Sequence, residues 1–84
     1  MVFKYRLEVR EQLARHGVLP RESTPPELVN DFVNDLYRYE IRKLRSQMLK
    51  GLIPKAAYAD RVEELRKRYP ILSLPVRHWL DDEI

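Results

Sequence analysis

No cysteine occurs in the 84 residues, and glycine is nearly as scarce, with two. The first absence excludes disulfides and any thiolate zinc site, so packing alone, or association with another chain, must offset the conformational entropy of folding. The second leaves no glycine-rich loop to wrap backbone amides around a phosphate. No apolar run approaches the roughly 20 residues that a membrane span needs. Nor does an export signal follow the start Met1-Val2-Phe3-Lys4-Tyr5-Arg6. A cytoplasmic location and no membrane partner are therefore expected.

Enzyme signatures are missing as well. Ser23, Ser46 and Ser73 are the serines, none in a nucleophile elbow, and neither His16 nor His78 has an obvious local partner. His78 lies one helical turn from Asp81 and Asp82, but an imidazole beside terminal acidic residues is ordinarily solvated charge, so no metal is assigned. The expectation is a non-catalytic protein with no cofactor. An enzyme would need the fold to gather Glu40, a tyrosine and a histidine into one pocket.

What the chain does have is charge and helical periodicity. With 35% charged and 44% hydrophobic residues it is too apolar for a disordered tail and polar enough for a solvated surface. A chain this short is one domain, 1–84, burying about 60–65% of the surface its unfolded form exposes. Self-association is one remedy for so small a core.

Apolar residues recur at helical spacing and nowhere alternate over the length of a strand. The expected fold is all-α: a small three-helix bundle with one long central helix and a short C-terminal fourth helix. The first helix is predicted over Lys4–His16, stopped by Gly17 in a left-handed conformation with Val18 just beyond. Thr24-Pro25-Pro26-Glu27 has the form of a capping box, a hydroxyl before proline with a glutamate three residues on. From Pro25 to Lys50 a period of 3.6 runs through Leu28, Val29, Phe32, Val33, Leu36, Tyr37, Ile41, Leu44 and Met48, until Gly51. A third helix starts at Pro54, with Tyr58, Val62, Leu65 and Tyr69 on one stripe. Ile71 to Leu74 is predicted extended. Pro75 then opens a last turn holding Val76, Trp79 and Leu80.

Glu40 interrupts the apolar side of the long helix, between Leu36, Tyr37 and Leu44. A buried carboxylate without a partner would be protonated or cost several kcal/mol. The expected remedy is a buried ion pair with an arginine from another helix, Arg6, Arg10 or Arg66, supported by a tyrosine hydroxyl.

Charge is uneven. Residues 1–37 carry 5 basic and 6 acidic groups, residues 38–68 carry 10 and 4, and residues 69–84 carry 1 and 3. The basic surface of the long helix is Arg38, Arg42, Lys43, Arg45 and Lys50, and a block from 38 to 68 of this sign is one form a nucleic-acid footprint takes. On the outward side Asp31 and Asp35 precede Arg42 and Arg45, with Leu49 beyond. Two copies laid antiparallel near Arg38 would set acid opposite base. The function expected is a protein-protein interaction or regulatory module, homodimeric through the long helix or paired with another protein. The alternative is a nucleic-acid-binding protein.

Overall fold

A computed structural model describes residues 2–81. Three α-helices carry the chain, α1 (Leu7–Ala14), α2 (Pro26–Leu49) and α3 (Lys55–Lys67), followed by two 3-10 turns, Pro70–Ser73 and Val76–His78. The fold is all-α. None of the described helices is long and apolar enough to cross a membrane.

α2 is unbroken for 24 residues, about 36 Å at 1.5 Å per residue. Its start departs from the expected capping box. Pro25 is extended, with φ −62° and ψ 135°, and no side chain caps the helix. The cause is Pro26, whose ring disfavours the helical region for the residue before it. Thr24 is thereby displaced from the capping position, and its hydroxyl instead accepts from the Arg21 amide at 3.1 Å.

The two glycines stop helices as expected. Gly17 has φ +74° and Gly51 φ +76°. At the first, the Val18 amide donates to Leu13 and the Gly17 amide to Ala14, each at 3.0 Å. At the second, Leu52 donates to Gln47 at 2.8 Å and Gly51 to Met48 at 3.0 Å. Both are Schellman closures, which satisfy carbonyls that the helix end would orphan.

α1 begins later than Lys4 because the C-terminal segment takes the backbone before it. Tyr5 and Leu80 form an isolated antiparallel bridge. The Arg6 amide donates to the Trp79 carbonyl at 2.9 Å and the Asp81 amide to Lys4 at 2.8 Å. A peptide group already paired across the chain gains nothing from a helix. The C-terminal segment also differs from expectation: of the stretch predicted extended, Ile71 to Ser73 lie in a 3-10 turn and Leu74 alone is extended, and Val76–His78 is a second 3-10 turn. Pro70 and Pro75 each lack a donor and each restart the chain, leaving too few residues between them for an α-turn.

One core joins these parts. Tyr5, Val9 and Leu13 meet Val29, Val33, Leu65, Tyr69, Ile71 and Trp79, with the Trp79 ring wholly buried and its indole N–H donating to the Leu74 carbonyl at 3.0 Å. α1 packs on the Pro70–Ser73 turn, and α3 packs on α2. The described residues extend 53 × 17 × 17 Å, with α2 as the spine.

Candidate functional site

Two places on α2 carry the chemistry worth weighing: the Glu40 cluster on its inner side and the outer surface opposite.

Glu40 is half-buried rather than buried. The Tyr69 hydroxyl donates to its Oε2, while Tyr69 is itself buried in the core. The expected arginine is not its partner. Arg6 donates through Nε to the Leu80 carbonyl at 3.1 Å, and Arg66 pairs with Glu63 one turn away at 3.1 Å. Among the described residues Glu40 has no ion pair. A carboxylate that keeps part of its hydration needs less compensation than a buried one, so one hydroxyl donor suffices.

Tyr69 also holds two rings. His16, just past the end of α1, stacks on it with centroids 4.2 Å apart and planes 16° apart, and Tyr37 meets it edge-on at 5.1 Å. The His16 Nε2 is buried without a hydrogen-bond partner. Burial, then the bond to Glu40 and the charge of that carboxylate, push the Tyr69 phenol well above its ordinary range. A cavity of about 400 Å³ opens here, lined by Arg15, His16, Glu40, Lys67, Arg68, Tyr69 and Pro70. The fold therefore does gather Glu40, a tyrosine and a histidine. A general acid or base works best with a pKa near the working pH, and Tyr69 is moved the other way. The Tyr69–Glu40 hydrogen bond docks the end of α3 on the middle of α2.

Among the described residues no group of three or more His, Asp or Glu side chains stands close enough to hold a metal. Asp82 of the His78 grouping lies outside the described residues.

The outer surface of α2 departs more from expectation. Leu28 and Phe32, which the periodicity places with the core, are 61% and 57% exposed, and Tyr39 and Leu49 are 63% and 72% exposed. At 100° per residue these four fall on one side of the helix. Only Pro26, Val29 and Val33 of α2 are buried; α3 and the two 3-10 turns pack on this helix, and the side that carries Leu28, Phe32, Tyr39 and Leu49 is left exposed.

Asp31, Asp35, Arg42 and Arg45 are exposed on or beside this stripe, as are Arg38, Lys43 and Lys50. Arg38 meets Asp35 at 3.8 Å, an exposed contact of little energetic weight. Arg42, Lys43, Arg45 and Lys50 have no ion-pair partner among the described residues. Sequence reasoning named Asp31, Asp35, Arg42, Arg45 and Leu49 for this face and missed Leu28, Phe32 and Tyr39. Their signal was present as a second stripe, hidden by its overlap with the apolar arc.

Compared with known proteins, the chain matches no family, no curated protein and no solved structure.

Proposed function

We propose that this chain is a single helical domain acting as a non-catalytic interaction module that self-associates through the outer surface of α2. The observation that supports it is the stripe of Leu28, Phe32, Tyr39 and Leu49, large apolar side chains left exposed along most of one helix. Single exposed leucines are ordinary, whereas an aligned set rimmed by polar groups marks a contact surface. The acid-before-base order of Asp31 and Asp35 against Arg42 and Arg45 suits a second copy of the same chain. Light scattering across a concentration series tests this. The expected mass is twice the 10.2 kDa of one chain, and a strict monomer at high concentration removes the reading.

A second reading is favoured by the exposure of the basic side chains from Arg38 to Arg68, which continue from α2 onto α3 through Arg61, Arg66, Lys67 and Arg68. Eleven of the sixteen basic residues are arginine, the side chain best suited to planar phosphate contacts. In that case the module holds a nucleic acid backbone. Retention on mixed DNA that falls steeply from low to physiological salt supports it, and no retention at low salt removes it.

A further inference from the structure

The stripe, followed at spacings of four and three, consists of the exposed Leu28, Phe32, Asp35, Tyr39, Arg42 and Leu49 with the half-buried Ser46 between the last two. It is close to its own mirror image in chemistry. Apolar residues stand at both ends, a negative and a positive charge lie equidistant from the middle, and a tyrosine occupies the centre. At the N-terminal end, Leu28 and Phe32 join Val18, Leu19 and Pro20 around an apolar groove of about 330 Å³. At the other end Leu49 and, past Gly51, Leu52 project into solvent, 72% and 71% exposed.

Resting on the self-association reading above, we infer that two copies pair antiparallel about a two-fold axis beside Tyr39, each seating its Leu49 and Leu52 in the partner's groove. Only this orientation matches knob to groove twice. It also brings Asp35 of each copy to the level of Arg42 of the other, where a parallel pair would set like charge against like. The axis falls beside Tyr39 because the groove and the knob are equally far from it, about ten residues, or roughly 15 Å of helix. An isologous contact of this kind closes on itself, so assembly stops at two chains.

The absence of native cysteine makes the test direct. Leu28→Cys and Leu49→Cys are prepared as single variants at exposed positions and treated with a short bis-maleimide, alone and mixed. Antiparallel pairing sets residue 28 of one copy beside residue 49 of the other and separates identical positions by about 30 Å or more. The expected result is covalent dimer in the mixture and almost none from either variant alone. Efficient 28-to-28 and 49-to-49 linkage with a dimeric mass overturns the antiparallel inference and leaves self-association standing. A dimeric mass with no linkage in any combination overturns the placement on this face. A monomeric mass for the parent chain ends both.

Discussion

The hydroxyl of Tyr69 donates to the carboxylate of Glu40, fixing the end of α3 to the middle of α2. Removing it by Tyr69→Phe keeps the ring that stacks on His16 and leaves Glu40 without its donor. The expected loss is about 1–2 kcal/mol, or roughly 4–8 °C of Tm per kcal/mol in a domain this size. Combined with Glu40→Ala in a double-mutant cycle, the two losses should fall short of adding, because each removes the same interaction. Fully additive losses would show that the bond carries no stability.

The same phenol gives a pH dependence of definite sign. Its pKa in the folded chain is raised above the unfolded value, first by burial and then by Glu40. Stability from this group is therefore complete below about pH 10, the unfolded value, and is lost as pH rises beyond it. The Tm of the parent chain should fall above that pH more steeply than the Tm of Tyr69→Phe. Parallel curves would contradict the assignment.

Gly17 and Gly51 have open space where a Cβ would stand, so substitution tests backbone conformation alone. Gly17→Ala and Gly51→Ala are each expected to cost about 1 kcal/mol, since an L-residue resists the left-handed region, and asparagine should cost less. Denaturant midpoints that do not move would show that the helix ends do not depend on positive φ.

These stops were legible because they are local: a glycine after a periodic run encodes its own conformation. The unbroken α2 was legible for the same reason, from its period, and so was Glu40's need of a partner, from a carboxylate among apolar neighbours; that the partner is Tyr69, 29 residues on, rather than an arginine was not. Long-range and competing terms were not. The Tyr5–Leu80 bridge shortens α1 from the far end of the chain, and Pro26 overrides a well-formed cap at Thr24. The exposure of Leu28 and Phe32 depends on which side of α2 the rest of the chain packs against, which periodicity does not report.

Charge reversal probes the partner orientation through energetics. Asp35→Arg or Arg42→Asp alone should weaken the dimer about three- to tenfold, and the double reversal should recover most of it at low salt. Sedimentation dissociation constants check this; a double variant weaker than both singles would show that these residues do not face each other.

The most direct measurement is the sedimentation-equilibrium mass of Phe32→Glu/Tyr39→Lys beside the parent chain, with helix content followed by circular dichroism. Both side chains are exposed in the single chain, so folding should be unaffected. The account predicts a parent mass of twice 10.2 kDa, a variant mass of one chain, and equal helicity. A variant that stays dimeric with its helicity intact would contradict it.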